Sequence, residues 1–240
     1  MSDRLKSADR SPTILALGTT KAYPGFNALP GVEAELNAIV QNGNSNGIYP
    51  GKIQLNETFT AQSLQTNDLD KYRILHIATH GSFNPKSITA SYLLLGNGDR
   101  LNITDIANLN NLNNTHLVVL SACETGLSGG GQDGTEISGI SGYFLRRGAK
   151  SVLASLWSVN DSSTALMMQQ FYKTLSQTNL TKAEALQKVQ QDFISGKLSA
   201  TEAAAIPRAT TRNITEGRSI GDSFAHPYFW APFVLTGNNF

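Results

Sequence analysis

The chain has 240 residues, which is enough for one α/β domain with a substantial buried core. Apolar residues make up 40% and charged residues 15%, and the formal net charge is +1, so we expect no nucleic-acid or membrane partner. No apolar run approaches the roughly 18 residues of a membrane-spanning helix, and the polar start lacks the apolar segment of a secretory signal. These features predict a globular, cytoplasmic protein.

The sequence contains one cysteine, Cys123. A single cysteine excludes an intramolecular disulfide and a Cys-rich zinc site. It leaves two interpretations, a small buried apolar side chain or a reactive thiol. Free cysteines are usually buried, so the residue by itself favours the first interpretation. Its surroundings must therefore decide between the two.

The first half of the chain alternates between short strands and helices. We expect residues 1–12 to be a tail or linker and residues 13–240 to form a single domain. The apolar run that ends directly before His80 and Gly81 is typical of a strand. Further elements are predicted by apolar spacing and by breaks at Gly and polar residues. The predicted strands are 13–18, 52–55, 72–79 and 91–95, and the predicted helices are 32–40, 60–68 and 103–109.

The second half continues the alternation. Residues 116–122 are nearly all apolar, which is typical of a strand covered on both faces. Strands that alternate with helices predict an α/β fold with a mostly parallel central sheet and helices on both faces. The polar segment 200–224 interrupts this pattern and is predicted to be an exposed loop. The remaining predictions are strands at 151–157 and 226–237 and helices at 136–147, 163–176 and 182–194.

Polar side chains follow three of the predicted strands at their carboxyl ends, and we expect these three strands to be neighbours in the sheet. They are His80, Cys123 and Asp161, and in open parallel sheets ligands bind at this edge. A neutral imidazole can take the proton of a thiol, and the resulting thiolate is a nucleophile. The backbone N–H groups of Gly81 and Cys123 could hold the oxyanion that forms on an attacked carbonyl. The pattern therefore predicts an acyl-transfer site.

Several segments of the sequence resemble one family, the CHAT domain, which belongs with separase, caspases and gingipains in the caspase-like peptidase clan. The resemblance covers nearly the whole chain and implies a caspase-hemoglobinase fold. It implies a catalytic dyad of His80 and Cys123, with no metal and no organic cofactor. The matching segments are LPGVEAEL (29–36), LHIATHG (75–81), VVLSACETG (118–126), FLRRGAKSVLASLWSVND (144–161), TALMMQQFY (164–172), KAEALQKVQ (182–190) and HPYFWAPFVLTG (226–237).

The resemblance also implies partners. CHAT domains are usually the C-terminal domain of larger bacterial proteins, often behind tetratricopeptide repeats, and no such repeat is present here. We therefore expect a bacterial protein that works with a tetratricopeptide-repeat or other regulatory domain or partner. Its substrate is expected to be a protein. A different class of function stays open, in which the domain is a non-catalytic interaction module or a scaffold regulated by thiol oxidation.

Substrate preference is predicted from the segment LWSVND (156–161), which is similar to the separase segment whose aspartate receives a basic residue. The matching position is Asp161, so the resemblance implies cleavage after Arg or Lys. Alternatively, Asp161 caps the helix that follows it. Asp133 and Glu136 either line the substrate groove or are solvated charges, and Trp157 either belongs to the core or walls the pocket.

Two further interpretations concern residues outside the dyad. Basic specificity would make three arginines of the predicted loop candidate self-cleavage points. His76 lies four residues before His80, a spacing that suggests a metal pair on a helix. Here it lies in a strand pattern with no third ligand, so we interpret it as a structural histidine. The three arginines are Arg208, Arg212 and Arg218.

Overall fold

The computed structural model describes residues 12–82, 88–106, 108–109, 112–121, 135–157, 159–199 and 224–238. Within these ranges the chain forms strands and α-helices in alternation. In chain order they are β1 (Ile14–Gly18), α1 (Gly31–Ile39), β2 (Val40–Asn42), β3 (Ser45–Asn46), β4 (Tyr49–Leu55), α2 (Ala61–Gln65), β5 (Ile74–Ala78), β6 (Gly81–Ser82), β7 (Tyr92–Leu94), β8 (Arg100–Asn102), α3 (Ile103–Ile106), β9 (Leu117–Leu120), α4 (Thr135–Arg146), β10 (Ser151–Ser155), α5 (Asp161–Gln177), α6 (Lys182–Ile194) and β11 (Phe233–Gly237).

Eight of the described strands form one sheet in the order β11-β10-β9-β5-β1-β4-β2-β3. The six strands from β10 to β2 are parallel to one another, whereas the edge strands β11 and β3 pair antiparallel with β10 and β2. The predicted α/β class with a mostly parallel sheet is confirmed.

The central strands are buried on both faces of this sheet. Every residue of β1, β5, β9 and β10 is buried, and alternate side chains enter two separate apolar clusters. One cluster includes apolar residues of α1, α5 and α6, and the other includes residues of α2, α3 and α4. Covering both faces explains why these strands are continuous apolar runs and do not alternate. The predicted placement of helices on both faces is confirmed.

Two predicted elements are wrong in extent. The predicted strand 226–237 begins only at Phe233, because Pro227–Phe229 forms a 3₁₀ turn. Proline lacks the N–H that a strand ladder needs, and the His226 side chain accepts a hydrogen bond from the Tyr228 amide and starts the turn. The predicted helix 60–68 divides into α2 and a 3₁₀ turn at Asn67–Lys71.

A second, smaller sheet was not expected from the sequence. It contains β6, β7 and β8 in antiparallel order, and β6 begins at Gly81, directly after His80. The strand β7 lies within the predicted strand 91–95, but β6 and β8 have two and three residues and are too short to give a readable apolar periodicity. The His80 segment therefore leaves the large sheet and enters the small one within two residues.

A buried polar network joins β5 to helices on one face of the large sheet. His76 is fully buried, with Nδ1 3.0 Å from the Tyr172 hydroxyl oxygen and Nε2 2.8 Å from Glu35 Oε1. Burial, with the Glu35 carboxylate, raises the pKa of Tyr172, so its hydroxyl keeps its proton and donates it to Nδ1. Nε2–H then donates to Glu35. The interpretation of His76 as a structural histidine is confirmed.

This network generates a stability prediction. Tyr172→Phe removes the donor to His76 Nδ1 and leaves a buried acceptor unsatisfied. We expect a loss of about 1–2 kcal/mol in the free energy of unfolding, measured by urea denaturation. Tyr143→Phe is the control, because Tyr143 is half-buried and its ring contact with Arg146 survives the change. Equal midpoints for the two variants would contradict the prediction.

Candidate active site

Three neighbouring parallel strands, β5, β9 and β10, end at one edge of the large sheet. Ile77 of β5 pairs with Leu120 of β9, and Val119 of β9 pairs with Leu153 of β10. The pairing of β5 with β9 continues past the end of β9, because the Ser121 amide donates to the Ile77 carbonyl at 3.1 Å. The predicted adjacency of these strands is confirmed, and the residues that follow them leave from a common edge.

His80 lies at this edge under a turn from the amino-terminal part of the chain. The imidazole is 1% exposed, and its Nε2 lies 2.8 Å from the carbonyl oxygen of Asn27. A carbonyl can only accept, so Nε2 carries the proton and Nδ1 is the basic nitrogen of the neutral ring. The Phe26 ring packs against the imidazole, with 5.0 Å between the ring centroids. The ring is therefore fixed in both tautomer and orientation.

The turn that supplies the Asn27 carbonyl is held from several sides. Tyr23 and Phe26 exchange backbone hydrogen bonds of 3.1 and 2.8 Å, and Gly25 between them has φ 84°. Such a left-handed conformation favours glycine. The Tyr23 hydroxyl donates to the Gly96 carbonyl, and Asn56 Oδ1 accepts from the Thr20 amide at 2.9 Å. These contacts fix the turn on neighbouring loops. A backbone carbonyl has no sequence signature, and the sequence did not indicate Asn27.

The amide of Gly81 points away from β7. The Leu94 amide donates to the His80 carbonyl at 2.9 Å, so His80 and Leu94 form a hydrogen-bonded pair. Antiparallel pairs alternate between hydrogen-bonded and non-hydrogen-bonded types, so the next pair, Gly81 with Leu93, is of the second type. The Gly81 N–H is therefore directed off the edge of the small sheet, beside His80.

Several predicted positions lie outside the described residues. They include the thiol, one acid and the three arginines of the predicted loop. Glu136 lies in the first turn of α4, and its side chain is likewise outside the description. Trp157 is half-buried after β10, and its indole N–H donates to the Tyr228 carbonyl at 3.1 Å. The positions without description are Cys123, Asp133, Arg208, Arg212 and Arg218.

Asp161 is the first residue of α5, but it does not cap that helix. Asn160 is the N-cap, and its Oδ1 accepts from the amides of Ser162 and Ser163 at 3.0 and 3.3 Å. The alternative interpretation of Asp161 as the cap of the following helix is therefore wrong. The side-chain amide oxygen of Asn160 already accepts from those donors, and the Asp161 carboxylate is directed elsewhere.

The Asp161 carboxylate instead caps α1. Its Oδ2 accepts from the Gly31 amide at 2.6 Å, at the first turn of a helix whose N-cap, Pro30, makes no side-chain capping bond. A Cβ at Gly31 would lie 2.6 Å from the same oxygen, so only glycine admits this approach. The five-residue segment 27–31 thus contacts His80 at one end and Asp161 at the other. This contact joins residues 130 positions apart.

Burial raises the pKa of Asp161 to about 6, and the nearby Glu35 carboxylate acts in the same direction. The hydrogen bond from Gly31 opposes the shift without cancelling it. Among the described residues this carboxylate has an anionic neighbour and one amide as hydrogen-bond donor, so its charge is poorly compensated. The position therefore favours the approach of a cation.

The described residues hold no group of three or more His, Cys, Asp or Glu side chains arranged to bind a metal ion. Among the helices of that part of the chain, none is long and apolar enough to span a membrane.

The sheet order, the helices on both faces and the site edge define a caspase-like α/β domain. Comparison with known families matches residues 2–238 to the CHAT domain. The chain belongs to this family, which is related to peptidases. No curated protein matches the chain.

The buried carboxylate generates a pH prediction. The folded-state pKa of Asp161 lies above that of the unfolded chain, so its ionisation costs stability as the pH rises from about 4 through 6. Asp161→Asn keeps an oxygen acceptor for Gly31 and removes the charge. We expect the variant to gain roughly 2–3 kcal/mol over wild type at pH 8 and little at pH 4.

Urea denaturation across pH 4 to 8 measures this difference. Asp70→Asn is the matched control, because Asp70 is exposed and its substitution should give no comparable trend. A constant difference between Asp161→Asn and wild type across this range would show that the carboxylate is not desolvated.

Proposed function

We propose that the protein is a cysteine endopeptidase in which Cys123 is the nucleophile and His80 the base. The observation that carries the proposal is the register of β5 and β9. His80 is three residues beyond Ile77, and Cys123 is three residues beyond Leu120, the register partner of Ile77. Neighbouring strands lie about 4.8 Å apart. The two segments therefore start from adjacent strands at the same level.

The chemistry uses the Nδ1 atom of His80. Nδ1 takes the proton of the Cys123 thiol, and the sulfur forms a bond to the carbonyl carbon of the peptide. The C–N bond then breaks, and the leaving amine takes the proton from Nδ1. Water next gives a proton to Nδ1 while its oxygen forms a bond to the thioester carbon. The C–S bond then breaks, the carboxylic acid product leaves, and the proton on Nδ1 returns to the sulfur. The Asn27 carbonyl accepts the Nε2–H hydrogen bond throughout and keeps the ring in one orientation.

The oxyanion of each tetrahedral intermediate needs donors beside the dyad. The Gly81 amide supports this role, because it follows the base directly and points away from β7. The Cys123 amide is proposed as the second donor. Because His80 is only 1% exposed, a peptide must displace part of its cover before the amine can reach Nδ1.

Asp161 is proposed to select a basic residue before the scissile bond. Burial and the Glu35 carboxylate disfavour the ionised form of Asp161, and a guanidinium would remove that cost through charge-assisted hydrogen bonds. Asp133, Glu136 and Trp157 are proposed to line the same groove. We further propose a protein substrate and a regulatory partner of the tetratricopeptide-repeat type in a bacterial cytoplasm, as the family suggests.

The activity is tested with a peptidyl-arginine acyloxymethyl ketone, which alkylates a thiolate held beside a base. We expect wild type to gain the mass of one inhibitor moiety at Cys123 and His80→Ala to react at least 100-fold more slowly. His116→Ala, at the opposite end of β9, is the control. An unreactive Cys123, or equal rates for His80→Ala and His116→Ala, would favour the non-catalytic interaction module.

The specificity is tested separately with peptides that carry Arg, Lys, Gln or Leu before the cut. We expect wild type to prefer Arg and Lys, and Asp161→Asn to lose at least tenfold in kcat/KM for the Arg and Lys peptides but not for the Gln and Leu peptides, because the charge pair is lost. Unchanged preference in Asp161→Asn would remove Asp161 from the pocket without affecting the dyad.

A further inference from the structure

A half-buried aromatic patch borders His80 and has no role in the reaction described above. Phe26 packs against the imidazole, and Tyr92 of β7 meets Phe26 edge-to-face with 6.3 Å between the ring centroids. The guanidinium carbon of Arg100 in β8 lies 4.3 Å from the centroid of the Tyr92 ring. The patch therefore runs from the base through two aromatic rings to an exposed cation.

We propose that this patch, Phe26, Tyr92 and Arg100, binds the substrate residues that follow the scissile bond. The inference rests on the proposed peptidase function. The leaving amine must come within about 3 Å of His80 Nδ1 to take its proton, and its Cα lies about 1.5 Å further on. The first side chain after the cut therefore starts beside the imidazole. Phe26 is the described aromatic ring that covers that imidazole.

The spacing of the patch specifies two substrate positions. In an extended peptide, residues two apart lie on the same side and are separated by about 6.6 Å. The Phe26 and Tyr92 ring centroids are 6.3 Å apart, which matches this spacing. When the first substrate side chain after the cut packs on Phe26, the third one therefore lies at Tyr92, next to the Arg100 guanidinium. The patch selects an apolar first residue, which covers exposed ring surface, and an acidic third residue, which pairs with the guanidinium.

The charges around Arg100 fit this selection. None of the ion pairs between described residues involves Arg100. The adjacent acid, Asp99, accepts a hydrogen bond from the Asn97 side chain at 2.7 Å. The other exposed cation near the turn, Lys21, is already paired with Glu57. Arg100 is thus the side chain of this patch that can attract a carboxylate.

The test uses two peptides that both carry Arg directly before the cut. The first peptide has Leu at the first position and Asp at the third position after the cut, and the second peptide has Gly and Asn at these two positions. We expect wild type to favour the first peptide about tenfold in kcat/KM. Because both peptides are measured with the same variant, the ratio of their kcat/KM values is not affected by a general loss of activity. Phe26→Ala should remove the share of this ratio that Leu contributes, and Phe26→Leu, which keeps an apolar surface, should retain most of that share. A third peptide carries Lys in place of Asp. Wild type should prefer Asp to Lys at the third position, and Arg100→Glu should reverse this choice.

Binding to Cys123→Ala, measured by fluorescence anisotropy with the same peptides, separates the two proposals. Cleavage of both peptides at equal kcat/KM would overturn the patch and leave the peptidase standing. Tighter binding of the Leu/Asp peptide that depends on Phe26 and Arg100, without cleavage by wild type, would support the patch and contradict the peptidase. Equal binding of the two peptides without cleavage would overturn both.

Discussion

The parallel pairing of β5 with β1 on one side and β9 on the other is the constraint on which the site depends. Parallel strands end at the same edge of a sheet, so the residues that follow each strand are brought together although they are distant in the sequence. The burial of all three strands on both faces holds this register, because a slip of one residue would exchange the side chains of the two apolar clusters.

The site is assembled from backbone groups as much as from side chains. The Asn27 carbonyl fixes the His80 tautomer, and the Gly81 amide is oriented by the alternation of hydrogen-bonded pairs in the small sheet. The turn that carries Asn27 is anchored by Tyr23 and Asn56 on neighbouring loops. The position of the buried His80 ring therefore depends on contacts between loops. The residues that make these contacts have no chemical feature that marks them in the sequence.

The Asp161 carboxylate has two opposite effects on the stability of the fold. Its carboxylate completes the amino-terminal end of α1, where proline provides no cap, and its burial beside Glu35 costs stability at neutral pH. Glu35 in turn holds His76, which holds Tyr172, so the site edge is continuous with a buried polar network on one face of the sheet. A cation bound near Asp161 would also change the electrostatic potential at Glu35, and through Glu35 at the buried network.

Much of the fold was predictable because its signals are local. The apolar runs of β5, β9 and β10 have enough residues to be recognised, and α5 and α6 show helical spacing over three or more turns. Of the small sheet only β7 was predictable, within the strand 91–95, because β6 and β8 are too short to carry a period. The alternative interpretation of Asp161 as the helix cap is wrong and the cap is Asn160, because adjacent polar residues at a helix start are equivalent in sequence and differ only in backbone conformation.

The amino-acid sequence by itself determined the α/β class, the strands that end at His80 and before Cys123, and the structural character of His76, because these depend on local apolar patterns and residue chemistry. Only the tertiary structure decided that Asn27 orients His80, that Asp161 caps α1 across 130 residues, and that Phe26, Tyr92 and Arg100 form one surface. Apart from the contact of Tyr92 with Arg100, which lie in the consecutive strands β7 and β8, each of these contacts joins segments that are far apart in the chain. The packing of the sheet and its loops brings these segments together, and a local sequence pattern does not specify which distant segments will meet.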